Sequence, residues 1–178
     1  MWVLAVVVGA AVVAGTVALA SSDPPSPPEQ GTPVSGEAPQ FELEGLRDPD
    51  RTMSLSDFRG RPVVLNFFAS WCAPCRREMP AFESAYEKVK DDVAFVGIDN
   101  QDIRSDGVAL LEETGVSYPA VFDPEGDVAR EFVVLGMPTT IFVSPEGEML
   151  ERVTGEMNED RLLAAIDRLF PGERPHND

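Results

Sequence analysis

Two cysteines in 178 residues, Cys72 and Cys75, stand three positions apart in the run Trp71-Cys72-Ala73-Pro74-Cys75. Two cysteines are too few to staple a small disulfide-built fold, so their spacing points to redox or metal chemistry. The pair follows an apolar run, Pro62 to Phe68, and opens a stretch with helical periodicity, which places it where a buried strand gives way to a helix. A cysteine at a helix N-terminus faces unpaired N–H groups and the positive end of the dipole, and both favour thiolate over thiol. Cys72 is therefore the expected nucleophile. Cys75, nearly one turn on, lies beneath it at disulfide distance and is expected to resolve a mixed disulfide formed on Cys72. Pro74 suits the first helical turn, where a missing N–H does no harm. A structural zinc site normally needs four ligands, and the one histidine, His176, sits near the C-terminus. No metal is expected, and no cofactor beyond a redox-active Cys72–Cys75 disulfide.

The elements that must position this pair alternate between strand and helix signals. Phe41-Glu42-Leu43 and Arg51 to Leu55 flank the turn tripeptide Asp48-Pro49-Asp50 and read as a short hairpin. Pro62 to Phe68 and Val93 to Ile98 are apolar runs suited to strands buried on both faces. Between them, Met79, Phe82, Tyr86 and Val89 recur at helical spacing up to Lys90. Ser105 to Thr114 reads as a helix stopped by Gly115, Pro119 to Phe122 as a short strand, and Val128 to Phe132 as a short helix. Thr139 to Val143 and Met149 to Val153 face each other across Ser144-Pro145-Glu146-Gly147 as an antiparallel hairpin. Asn158 can cap a last helix with Leu162, Leu163, Ala165, Ile166 and Leu169 on one stripe. The fold class is α/β, a mixed central sheet flanked by helices.

The ends of the chain differ from this domain, which is assigned to residues 40–170. Met1 to Ala20 contains one polar side chain, Thr16. Twenty helical residues rise about 30 Å, the thickness of a bilayer's hydrocarbon layer. No Lys or Arg precedes Arg47, so residues 1–20 are read as a single-pass membrane anchor, with a signal segment removed after Ala18-Leu19-Ala20 as the alternative. Residues 21–39 hold six of the sixteen prolines and read as a semi-rigid linker. Residues 171–178 read as a flexible tail. With 14 Lys and Arg against 31 Asp and Glu, the formal charge is −17, which excludes a nonspecific grip on nucleic acid.

Three linked motifs then give a resemblance. They are Val64-Leu65-Asn66-Phe67-Phe68-Ala69-Ser70-Trp71-Cys72-Ala73-Pro74-Cys75-Arg76-Arg77-Glu78-Met79-Pro80, Gly136-Met137-Pro138-Thr139-Thr140, and Ser144-Pro145-Glu146-Gly147. Over about Ala38 to Phe170 the chain resembles the membrane-anchored, TlpA-like thiol-disulfide oxidoreductases of the thioredoxin superfamily, a group that includes the cytochrome c maturation reductases. The resemblance implies a thioredoxin-like fold with an N-terminal β-hairpin and a central strand–helix insert, the latter matched to Asn100–Tyr118. It implies a cis-proline at Pro138, beside which the Met137 backbone pairs with an extended substrate. Trp71, Ala73 and Pro74, with Met137, Pro138 and Thr139, are the implied substrate-binding residues. Thioredoxins carry a buried Asp six residues before the first cysteine; this chain has Asn66, which cannot take a proton. Glu78, one turn after Cys75, is the implied replacement, the alternative being a surface Glu balancing Arg76 and Arg77. Asp99, Asp102 and Asp106 read as a solvated acidic loop.

The function so implied is the reduction of disulfides in exported proteins, such as apocytochrome c, outside the cytoplasm, with electrons drawn from a membrane thiol partner. Ala73-Pro74 does not fix the potential, so a disulfide oxidase has the same motif. A peroxidase is disfavoured by Ala69, which stands where peroxiredoxins carry Thr. A copper carrier is disfavoured by the narrow cysteine spacing and by the lack of a His within the domain.

Overall fold

The computed structural model describes residues 31–172. The expected anchor, most of the linker and the last six residues lie outside the described residues. In chain order the elements are β1 (Thr32–Pro33), β2 (Glu42–Glu44), β3 (Thr52–Ser54), a 3-10 turn (Leu55–Phe58), β4 (Val63–Phe68), α1 (Ala73–Val89), β5 (Ala94–Asn100) and α2 (Arg104–Thr114). They continue with β6 (Ala120–Asp123), α3 (Asp127–Glu131), β7 (Thr139–Val143), β8 (Met149–Thr154) and α4 (Glu159–Leu169). Six strands form one sheet in the order β1-β8-β7-β4-β5-β6, and β2 and β3 form a separate hairpin. β4, β5 and β6 run parallel, while β7 runs antiparallel to β4 and to β8.

Every residue of β4, β5 and β7 is buried, as apolar runs covered on both faces require. The two-residue period then sorts side chains between two cores. Val64, Phe68, Phe95 and Phe142 pack with Met79 and Phe82 of α1, Leu110 and Leu111 of α2, and Leu162 and Ile166 of α4. Val63, Leu65, Phe67, Val96, Ile98 and Ile141 pack on the opposite face with Val128 and Ala129 of α3 and with Phe41 and Leu55 of the hairpin region. By that alternation Asn66 points to the face that α1 covers. Helix ends follow their local chemistry. Gly115 takes φ +73° as the left-handed stop of α2, and the Asn158 side chain accepts the Arg161 N–H at the start of α4.

Two boundaries shift from the sequence reading. The linker assigned to 21–39 is too long, because Thr32 and Pro33 pair with Arg152 and Glu151 as an edge strand and Ala38 is buried. Pro33 is tolerated there since an edge strand leaves one N–H side unpaired, so a proline-rich composition hid the pairing. The segment Asn100–Tyr118 supplies a helix, α2, without a strand of its own; the added strand is β6, which follows it and takes the sheet's other edge.

Candidate active site

β4 delivers the chain to the pair, and α1 begins there. Cys72 is the N-cap of α1, with extended backbone, and its sulfur accepts the Cys75 N–H at 3.2 Å. Pro74 occupies the first turn and Pro80 lies within the helix, which runs through it to Val89. Cys72 and Cys75 form a disulfide with Cα atoms 5.3 Å apart. Cys75 is fully buried and Cys72 is 5% exposed, so the residue expected to attack is the less covered of the two, though more covered than a helix-edge position suggests. The N–H that meets the Cys72 sulfur here also meets its thiolate once the bond is reduced, the helix-terminus effect in a specific contact.

The approach to Cys72 is clamped by the loop after β5. The Ser70 N–H and hydroxyl both donate to the Asp102 carboxylate, the hydroxyl at 2.7 Å. The Trp71 indole N–H donates to the Gln101 carbonyl at 3.1 Å, and Gln101 holds φ +51°, in the left-handed region. The Arg76 guanidinium, paired with Glu113, also donates to the Ser70 carbonyl. The reading of Asp99, Asp102 and Asp106 as a solvated loop is thus corrected: Asp102 is tied to Ser70, and Asp99 is fully buried with neither carboxyl oxygen hydrogen-bonded. Burial, then the neighbouring Asp102 carboxylate, pushes the Asp99 carboxyl up to about 8, against the pull of Arg104. Sequence alone shows three acids near a strand end; that one points inward depends on Gly107, where an added Cβ would sit 2.1 Å from an Asp99 oxygen.

The second loop of the site lies at the same end of the sheet, since Thr139 at the start of β7 pairs with Phe67 near the end of β4. The Met137–Pro138 bond is cis. The Pro138 carbonyl accepts the Gly155 N–H at 2.9 Å, and the Met137 sulfur accepts from the Asn100 side chain at 3.6 Å. Of the residues expected to meet substrate, Trp71 and Ala73 are exposed, Pro74 and Met137 are half-buried, and Pro138 and Thr139 are buried. The Thr139 hydroxyl donates to the Gly136 carbonyl at 2.7 Å, so that side chain shapes the turn. Three residues were missed from sequence. Ile103, Val133 and Leu135 are exposed large apolar side chains, Leu135 to 90%; Ile103 follows the Asp102 that binds Ser70, and Val133 and Leu135 precede the Met137–Pro138 bond in the chain. Nothing in their spacing marks them as exposed.

Glu78 is not a surface charge. It is 2% exposed, while Arg77, the partner that a surface role requires, is paired with Glu156. The Asn66 amide donates to one Glu78 oxygen at 2.9 Å and the Met157 N–H to the other at 3.1 Å. The Tyr118 hydroxyl reaches the Asn66 carbonyl oxygen at 3.5 Å. Burial pushes the Glu78 carboxyl up to about 8, with the two donors pulling it back and Glu156 adding to the rise. A carboxyl group one turn from Cys75 and raised to about 8 can take a proton from a thiol.

Comparison with known proteins agrees with this arrangement. The AhpC/TSA family model matches residues 34–152. The thiol-disulfide oxidoreductase ResA of Oceanobacillus iheyensis is 33% identical over 143 residues, covering 78% of this chain and 73% of the relative. The protein of that name from Bacillus subtilis is 32% identical over 138 residues, covering 77% and 76%. Among solved structures, a DsbF homologue from Corynebacterium diphtheriae matches with a TM-score of 0.71 at 26% identity, over 83% of this chain and 96% of that one. The thioredoxin domain of a thiol-disulfide oxidoreductase from Bacteroides vulgatus matches at 0.65 and 26% identity, over 79% and 96%. The fold is accordingly thioredoxin-like.

Proposed function

The chain belongs to the AhpC/TSA family and is a thiol-disulfide oxidoreductase of the ResA type carrying a Cys72–Cys75 disulfide, and from that premise we propose that it reduces disulfides of exported proteins outside the cytoplasm. The Cys72 thiolate attacks one sulfur of a substrate disulfide, whose partner sulfur leaves as thiolate. Cys75 then gives up its proton to Glu78 and attacks the Cys72 sulfur, forming the Cys72–Cys75 bond as the second substrate thiolate leaves. Two electrons pass to the substrate, and a membrane thiol donor restores the dithiol. Residues 1–20 hold the domain at the membrane; among the described residues no helix is long and apolar enough to cross one. Apocytochrome c, with its paired cysteines, is the substrate type the reading favours.

The observation that carries the direction is the charge around Cys72. The Asp102 carboxylate is bonded to Ser70, two residues before the nucleophile, while Arg76 and Arg77 on α1 are engaged by Glu113 and Glu156. A carboxylate near the nucleophile and cations already engaged elsewhere oppose the pull of the helix N-terminus, and a less stabilised thiolate makes the stronger reductant. The substrate surface is apolar. Trp71, Ile103, Val133 and Leu135 are exposed, and Val133 sits at φ +53°, a strained setting for an exposed β-branched residue that fits a recognition loop. Equilibration with glutathione buffers, read by alkylation of Cys72 and Cys75, tests the direction. A potential below about −180 mV, that of protein disulfide isomerase, is expected, and one near −120 mV would make the protein an oxidase. Cys75→Ser should hold substrates on Cys72 as mixed disulfides, and trapped proteins lacking paired cysteines would refute the substrate class.

A further inference from the structure

Glu78 borders an open cavity of about 320 Å³ between α1 and the turn joining β8 to α4, lined by Arg77, Glu78, Ala81, Glu156, Met157 and Asn158. Cys75, by contrast, is fully covered. Two successive rungs close the wall of this cavity. On the outside, Arg77 and Glu156 form a two-pronged ion pair, with Nε to Oε2 at 3.2 Å. On the inside, the next residues of each segment meet, the Met157 N–H donating to Glu78 at 3.1 Å. The outer rung therefore lies next to the amide that binds the inner carboxyl. The Arg161 guanidinium, donating to the Glu156 carbonyl at 3.3 Å, braces the same turn from α4.

We propose that the Arg77–Glu156 pair is the gate of the proton route of Glu78: the proton that Cys75 gives up leaves Glu78 through this cavity and passes between those two side chains to bulk water. The inference rests on the reading of Glu78 as the proton carrier. In the resolving step the Cys75 S–H bond breaks, its electron pair forms the new S–S bond with Cys72 as the Cys72–substrate S–S bond breaks and the substrate leaves as thiolate, and the Cys75 proton moves to a Glu78 oxygen. Glu78 must then shed that proton before the next turnover, and the cavity gives its buried carboxyl a path to solvent. The gate also sets the field at Glu78. The groups that face it are Cys75 and Arg77 on α1, Glu156 in the turn, and Tyr118 through Asn66. Glu156 raises its proton affinity, and Arg77 moderates that by neutralising Glu156.

The test measures the pH dependence of substrate-thiol release from the Cys72 mixed disulfide, in the full-length protein. Arg77 and Glu156 are exposed and paired at the surface, so neutral substitutions there leave the core intact. Glu156→Gln should move the midpoint of release down by about half a pH unit, and Arg77→Gln should move it up by a similar amount, as loss of one neighbouring charge predicts. Glu156→Asp, which keeps the charge, should restore the original midpoint. Ala81→Leu, which narrows the cavity, should slow repeated turnover several-fold while leaving the first release and its midpoint unchanged. In a Glu78→Gln background none of these changes should have any effect. If Glu78→Gln alters the profile while the Arg77 and Glu156 variants do not and Ala81→Leu turns over at the wild-type rate, the gate is wrong and Glu78 remains the carrier. If Glu78→Gln itself leaves the profile unchanged, the carrier reading fails and the gate falls with it.

Discussion

Replacing Glu78 by Gln should change the pH dependence of stability more than stability itself. The wild-type carboxyl is pushed from an ordinary value of 4.5 up to about 8 by burial, so the folded protein binds a proton that the unfolded chain has already released. An acid whose folded value is raised contributes stability that is complete below the unfolded value and is lost as pH climbs to the folded one. For Glu78 that window runs from 4.5 to about 8. At 1.36 kcal/mol per unit, holding the proton at pH 7 costs the fold about 3 kcal/mol. Gln escapes this cost but pays elsewhere. The carboxyl accepts from both Asn66 and Met157, whereas an amide has one accepting oxygen, so one donor is left facing an NH₂ group. An unmet buried partner costs about 1–3 kcal/mol. The two effects cross at about pH 6, below which the variant should be weaker than wild type and above which it should be stronger. Urea unfolding of the oxidised protein near pH 5, 7 and 9, followed by far-ultraviolet circular dichroism, reads this directly. Wild-type and variant curves that stay parallel across that range would show that Glu78 titrates where a surface carboxyl does, and the argument from burial would fail.

Asp99→Asn should stabilise the protein progressively from pH 5 to 8, by the same sign, because Asp99 is fully buried and its carboxyl is raised to about 8; a variant less stable than wild type near pH 8 would contradict it. In the reduced protein, iodoacetamide below neutral pH should label Cys72 far faster than Cys75, since solvent reaches only the former in this structure, and equal labelling would reverse the assignment of roles. Ile103→Ser with Leu135→Ser should raise KM for a protein disulfide several-fold and leave reduction of a small disulfide unchanged, an effect on both substrates being the opposing result.

The cysteine pair, the fold class and the last hairpin were legible because each depends on local chemistry. A cysteine at a strand-to-helix junction, apolar runs of strand length and turn residues all act within a few positions of one another. What was not legible depends on partners distant in sequence. Thr32 and Pro33 belong to the sheet because β8, more than a hundred residues on, offers them an edge. Asp99 is buried because Gly107 leaves it room, and the two residues look alike in any acidic loop. Glu78 fell between the two cases. Its spacing from Cys75 was visible, but the choice between an exposed ion pair and a buried acid turned on Glu156 taking Arg77, across 79 residues of chain.

Asn66 shows how such a distant choice becomes a chemical one. In the sequence it is a loss, an amide where a related strand carries an acid. In the structure the strand's period turns it toward α1, and its NH₂ group donates to the carboxyl that the helix supplies. The acid has moved from strand to helix, and the strand now provides the donor that holds it. Donation from Asn66 favours the carboxylate, while burial favours the acid form. The near-neutral balance between them is therefore a property of the pair, set by two residues of which only one can titrate. The same division explains why Tyr118 can approach Asn66 at no electrostatic penalty. A second carboxylate at position 66 would face Glu78 at hydrogen-bond distance and would have to share one proton with it, whereas the amide leaves Glu78 as the one titrating member of the pair.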